Sequence, residues 1–208
     1  KTAGISSFLV PANTPGFRIG KQEKKLGLRA STLAELVFEN CFIPQDQLLG
    51  KRGEGFKVAL SQLDAGRIAI GAAGVSAAAQ GIEIAWKLIP RDGSADGVRA
   101  IFAEHYAKLN GARAMMAQLS ESRDKGEFLG PLAASFKLTA SDLAIQVCHD
   151  AVHYLGYEGC RTGSGVERLL RDSKALQIVE GTNQIQRLVL SRALDGMVNE
   201  DAVGSTRI

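Results

Sequence analysis

The sequence predicts a mainly α-helical chain, with a few short strands up to about residue 50 followed by a C-terminal antiparallel four-helix bundle. Two observations carry this prediction. Residues 5–10, 17–22 and 33–43 are short, rich in β-branched and aromatic residues, and separated by the turn cluster Pro11-Ala12-Asn13-Thr14-Pro15-Gly16 and by Gly27. After Gly50 the strand signals stop, and Phe56, Ala59, Leu60, Leu63, Arg67, Ile70 and Gly74 recur every three or four residues, as on one side of a helix.

Each element has its own warrant. Leu33 to Ile43 nearly alternates between apolar and polar, as a strand with one buried face does, and Pro44 ends it. Three strands alone make a poor core, so further strands are expected upstream. Helices are expected over about 53–89, ended by Pro90-Arg91-Asp92-Gly93; 96–124, ended at Lys125-Gly126; 131–155; and 182–197, with a short turn near 166–172. The first helix holds Gly66, Gly71, Gly74 and Gly81, each costing about 1 kcal/mol relative to alanine. Close approach of another helix or a ligand would offset that cost.

Composition excludes several classes of function. The chain has 208 residues, 45% of them hydrophobic, and a net charge of only +3, spread in short clusters, so a polyanion partner such as nucleic acid is not expected. Aromatic residues are too few for stacking on bases. Cys41, Cys148 and Cys160 are odd in number and far apart, which argues against a disulfide framework or zinc site and for a reducing compartment. His105, His149 and His153 form no ligand pattern, so no metal is expected. The longest apolar run, Ile68 to Ala79, is short of the ~20 residues a bilayer span needs. The chain starts at Lys1 without a methionine, so an upstream segment, including any targeting region, is expected to be missing.

The segment Ala175 to Arg187 is the most informative, because Glu180 interrupts an apolar stretch and is followed by a Gly181-Thr182 helix start. A partly desolvated carboxylate is a stronger base, as abstraction of a weakly acidic carbon-bound proton requires. The same spacing suits an acid that complements the helix dipole beside a Thr182 N-cap. Asp64 and Arg67 lie three residues apart and could pair with each other, or Arg67 could bind a phosphate or polar group of a substrate. The glycine-rich stretch Gly156 to Gly165 lacks dinucleotide-fold spacing and reads as a loop.

Several segments together, in order along nearly the whole chain, resemble the acyl-CoA dehydrogenase family. They are Lys25-Leu26-Gly27-Leu28-Arg29-Ala30-Ser31 followed by Glu35-Leu36-Val37-Phe38; Gly53-Glu54-Gly55-Phe56; Asp64-Ala65-Gly66-Arg67; Arg171-Asp172-Ser173-Lys174; and Ile178 to Arg187. The resemblance implies that residues 1–50 are the last strands of a middle β-barrel domain and 51–208 the helical bundle domain, with an N-terminal helical domain absent. It implies FAD between barrel and bundle and an acyl-CoA substrate, with the α-proton taken by a base and the β-hydride passed to the flavin to give a 2-enoyl-CoA. Electrons would go to an electron-transfer flavoprotein. The assembly would be a homo-oligomer, dimer or tetramer, in a bacterial cytoplasm or mitochondrial matrix.

By the same resemblance Glu180 is the catalytic base and Gly181 lies beside the thioester. Asp64, Gly66, Arg67 and Arg192 line the substrate site, the two arginines toward CoA, and Thr182, Asn183 and Gln184 contact the flavin. Family members that carry the base on the first helix have it where this chain has Gly66. Two departures stand out. Trp86 to Asp96 is shorter than the family's connection and lacks its Arg-x-x-Phe-Gly and following Gln, and His153-Tyr154-Leu155-Gly156-Tyr157, which matches a contact to a neighbouring subunit's FAD, has His153 for Gln and Gly156-Tyr157 for Gly-Gly. An altered clamp suits a heteromeric enzyme with a homologous partner subunit. A non-catalytic assembly bundle and an acyl-CoA oxidase are further alternatives; intact Glu180 speaks against the former.

Overall fold

The computed structural model describes residues 4–127 and 129–204; residues 1–3, 128 and 205–208, within the expected domain ranges, lie outside the described residues. Two compact units divide the chain, Lys1–Leu63 and Asp64–Ile208.

In the first unit the strands are β1 (Ser7–Phe8), β2 (Phe17–Gln22), β3 (Ala34–Phe38) and β4 (Leu48–Leu49). β1 pairs antiparallel with β4, and β2 with β3. The strands expected at 5–10 and 33–43 are therefore shorter, and β4 was not foreseen. Asn40 takes φ 49°, a left-handed turn conformation that ends β3 before the alternation in the sequence does. Phe17 and Phe38 face each other across the ladder with ring centroids 5.1 Å apart.

The helices are α1 (Gly55–Leu88), α2 (Asp96–Asp124), α3 (Gly130–Leu155), α4 (Tyr157–Cys160), α5 (Val166–Leu176) and α6 (Asn183–Gly204). The four long ones fall within two residues of their expected starts, whereas the expected turn at 166–172 is the full helix α5. The single turn α4 is hidden in sequence by its flanking glycines.

Helix α3 is the centre of the bundle. Against it α1 runs in the same direction, with Gly71 over Phe136, Gly74 over Ala140 and Gly81 over Val147. α2 runs opposite, Phe102 meeting Tyr154 and His105 meeting Asp150. α5 also runs opposite, Ser173 lying by Cys148 and Gln177 by Asp142. Phe102, Leu109, Leu119, Phe136, Val147 and Val166 are wholly buried in the core. The glycines of α1 thus serve close helix approach. A Cβ at Gly74 would lie 2.8 Å from the Ala140 carbonyl oxygen, which is backbone and cannot swing aside. Gly74→Val is expected to cost at least about 2 kcal/mol in chemical unfolding, while Gly111→Ala on α2, with nothing within 4 Å, should be stabilising by up to about 1 kcal/mol.

Among the described residues one helix, α1, is long and apolar enough to cross a membrane by length and composition, with an 18-residue stretch of mean hydropathy 1.4. It exceeds the run Ile68 to Ala79 read from the sequence. The same composition suits a core helix, and the seating of its glycines against α3 supports that role.

Candidate active site

The site forms where α5 hands over to α6. Leu176 ends α5, the Ile178 N–H donates to the Ala175 carbonyl at 2.9 Å, and the Asn183 N–H donates to the Gln177 carbonyl at 2.9 Å. Between them the chain reverses through Glu180 at φ 53° and Gly181 at φ 84°. Glycine takes that conformation freely, but glutamate does so only when its surroundings hold it there, at a cost on the order of 1 kcal/mol. Thr182 then caps α6, its Oγ1 accepting from the Ile185 N–H at 3.3 Å. The N-cap role open in the sequence is realised alongside the unusual backbone at Glu180.

The Glu180 carboxylate lies directly over Gly66 of α1. A methyl group at Gly66 would sit 2.2 Å from Glu180 Oε2, so only glycine leaves the carboxylate this place. The apolar neighbours that pointed to a sheltered acid do not provide the shelter: Ile178 and Val179 are exposed, and Glu180 is half-buried through α1 instead.

Beneath the turn lies a buried polar network that sequence reading missed. Lys137 of α3 is 0% exposed, and its Nζ donates to the Gly181 carbonyl at 2.9 Å and to Asn183 Oδ1 at 2.7 Å. Asn183 Nδ2 donates to Ser141 Oγ at 2.9 Å and to Asp142 Oδ1 at 2.7 Å. Asp142 also accepts from Gln177 and Arg187. Gln186 Nε2 donates to the Gly181 carbonyl at 2.8 Å and the Glu180 carbonyl at 3.2 Å. The available signal was Lys137 itself, one cation among Ala133, Ala134, Phe136 and Ala140 in the first half of α3.

Asp64 and Arg67 pair at 2.8 Å, as their spacing allowed. Arg67 is nonetheless buried, and among the described residues its Nε has no hydrogen-bond partner; Gln186 Oε1 is buried and has none among them either. A donor and an acceptor thus stand unsatisfied among the described residues beside the Gly66–Glu180 cradle, where a polar ligand could pair with them.

The remaining expected site residues divide. Gln184 is exposed in the first turn of α6. The Asn183 side chain, expected at a flavin, is 3% exposed and committed at both ends to Lys137, Ser141 and Asp142, so it braces the turn. Arg192 is exposed on α6, about 14 Å along the helix from Asn183. His153, Tyr154 and Leu155 end α3 and Gly156 and Tyr157 follow it, with His153 about 24 Å of helix rise beyond Lys137 and about 16 Å beyond Asp142. There His153 stacks on His149, Tyr154 packs edge-on to Phe102, Gly156 at φ 56° ends the helix, and Tyr157 is exposed. They do not join Glu180 in one site. The short connection after Trp86 closes locally, the Ser94 N–H donating to Asp92 Oδ1 at 3.0 Å with Gly93 at φ 87°.

Burial pushes the Lys137 ammonium down to about 8, with Asp142 and Glu180 opposing the shift and Arg67 adding to it. Its ordinary value is 10.5, so between about pH 8 and 10.5 the unfolded chain holds a proton that the folded one has released, and stability rises with pH. Burial raises the Cys148 thiol from 9.0 to about 11, Ser173 opposing, which gives the opposite slope above about pH 9. Unfolding free energy is therefore expected to rise by up to about 1 kcal/mol between pH 8 and 9. Urea titrations across that window should lose the rise in Lys137→Met.

The chain has relatives among known proteins. The acyl-CoA dehydrogenase C-terminal domain profile matches residues 53–194. The chain is 43% identical over 200 residues to the Probable acyl-CoA dehydrogenase FadE25 of Mycobacterium tuberculosis, covering 92% of this chain and 51% of that protein. Among solved structures it is similar to butyryl-CoA dehydrogenase from Megasphaera elsdenii, with TM-score 0.86 and 32% identity over 93% of this chain and 52% of that one. It is also similar to a chain in the structure presented as the electron transferring flavoprotein of Acidaminococcus fermentans, with TM-score 0.89 and 38% identity over 93% of this chain and 53% of that one. The chain belongs to the acyl-CoA dehydrogenase family. It spans about half the length of the curated relatives it matches.

Proposed function

We propose that Glu180 is the base in a flavin-dependent α,β-dehydrogenation that converts an acyl-CoA thioester to a 2-enoyl-CoA. The observation that carries this reading is the carboxylate held over Gly66 by a left-handed turn, beside the buried cations Lys137 and Arg67. A carboxylate fixed at one point and partly shielded from water is arranged to accept a proton from carbon. The α-proton passes to a Glu180 carboxylate oxygen, which becomes a carboxylic acid, while the new double bond forms as the β-hydride leaves. Bound FAD supplies the acceptor for that hydride.

Thr182 and Gln184, in the first turn of α6, would hold the flavin together with the Asn183 backbone. The unpartnered Arg67 Nε and Gln186 Oε1 suit a polar ligand at the cradle. Arg192, farther along α6, is the candidate contact to CoA. In this reading the electrons go on to an electron-transfer flavoprotein, which the likeness to the Acidaminococcus fermentans chain supports. Flavin-loaded full-length protein, with its homologous subunit where loading needs one, should bleach its flavin band when mixed anaerobically with acyl-CoA, and no bleaching with any chain length would overturn the activity.

A second reading concerns the assembly. His153 to Tyr157 stand apart from Glu180 on α3, as expected of residues that meet a neighbouring subunit's flavin in a dimer or tetramer, and the tight Asp92–Ser94 turn lacks the family's clamp. We therefore expect the full-length protein to carry well under one flavin per chain until a homologous subunit joins it. Absorbance of the purified protein checks this, and a full flavin complement in the homo-oligomer would exclude the heteromeric form.

A further inference from the structure

We infer that Lys137 is a positioning residue for Glu180: its buried Nζ, donating to the Gly181 carbonyl and Asn183 Oδ1, locks the left-handed turn that keeps the carboxylate over Gly66. This rests on the proposed role of Glu180 and adds what holds that base in place.

Three observations converge on it. Glu180 adopts φ 53° without being glycine, so something outside the residue must hold the turn. The carbonyl of the next residue, Gly181, accepts from both Lys137 Nζ and Gln186 Nε2, which ties the turn to α3 on one side and α6 on the other. Lys137 is also wholly inside the protein, where an ammonium is costly and an apolar residue would pack more cheaply if packing were all that mattered.

The charges facing Lys137 come from every side of the network. On α3 itself is Asp142, which binds Arg187 of α6; on α1 is Arg67, paired with Asp64; ahead of α6 is Glu180. The ammonium thus stands among an anion that anchors the network, a cation of the cradle and the reacting carboxylate. Asn183 completes the device, since its Oδ1 accepts a hydrogen bond from Lys137 Nζ while its Nδ2 donates to Ser141 and Asp142.

The test uses the full-length, flavin-loaded protein with Lys137→Met and Lys137→Gln. Lys137→Met is expected to slow flavin reduction by acyl-CoA about tenfold or more, as a loosened reacting group does. KM should stay within about threefold. Lys137→Gln, which keeps a donor for the Gly181 carbonyl, should recover part of the rate. Lys137→Met reducing its flavin at the wild-type rate would overturn the inference. If neither variant loads flavin, a crystal structure of the Lys137→Met protein decides: the Glu180 carboxylate is expected to leave its place over Gly66, and a carboxylate unmoved there would refute the role. Glu180→Gln run alongside separates the two claims, because a dead Glu180→Gln with a wild-type Lys137→Met overturns the inference about Lys137 alone.

Discussion

Glu180→Gln is expected to keep the fold and the flavin and to lose flavin reduction by acyl-CoA. Glutamine matches glutamate in shape, so the turn through φ 53° and the place over Gly66 are retained. The carbonyl of Glu180 still accepts from Gln186 Nε2, a backbone contact that the substitution does not touch. An amide cannot take up the α-proton, and loss of a general base commonly costs ~10²–10⁴-fold. Stopped-flow bleaching of the flavin band measures the loss, and thermal unfolding within about 1 kcal/mol of wild type confirms that the fold is kept.

Gly66→Ala is expected to separate activity from stability more sharply still. The added methyl would fall 2.2 Å from Glu180 Oε2 and 2.5 Å from its carboxyl carbon. Those atoms end a flexible side chain and can swing away, so the fold should tolerate the change and gain up to about 1 kcal/mol of helix propensity in α1. The displaced carboxylate no longer points where it did, and misplacing a reacting group by about 1 Å can cost ~10²-fold. A large fall in the flavin-reduction rate with unchanged or raised unfolding free energy is the expected outcome. The same overlap dictates how to move the base onto α1. Gly66→Glu needs the Glu180 side chain removed, and Glu180→Gly suits the positive φ there, so that pair should restore part of the activity that Glu180→Gln leaves lost.

Long periodic helices and their breakers were legible in the sequence because each rests on local signals: Pro90 to Gly93 after α1, Lys125-Gly126 after α2, Thr182 before α6. The strands were less so. Alternation from Leu33 to Ile43 continues past Phe38, but pairing with β2 stops there because the chain turns at Asn40. Glu180, Gly66 and Arg67 could be named from residue type and resemblance, whereas their support could not. Lys137 and Asp142 lie some forty residues before the turn they brace, and only the fold brings α3 beneath it. The backbone strain at Glu180 and the overlap with Gly66 are likewise properties of three dimensions. Asn183 shows the opposite case, a motif residue whose side chain the fold turns inward to the network.

Removal of the α-proton is the central claim, and proton exchange at that carbon tests it most directly. An acyl-CoA whose β-carbon is replaced by sulfur can give up an α-proton but no β-hydride, so its exchange in deuterated water reports the base alone. The full-length, flavin-loaded wild-type protein is expected to place deuterium at the α-carbon of the recovered thioester, and Glu180→Gln to do so at least about 100-fold more slowly. Exchange by Glu180→Gln at the wild-type rate would contradict the account, leaving Glu180 as an acid at a helix start and the base elsewhere.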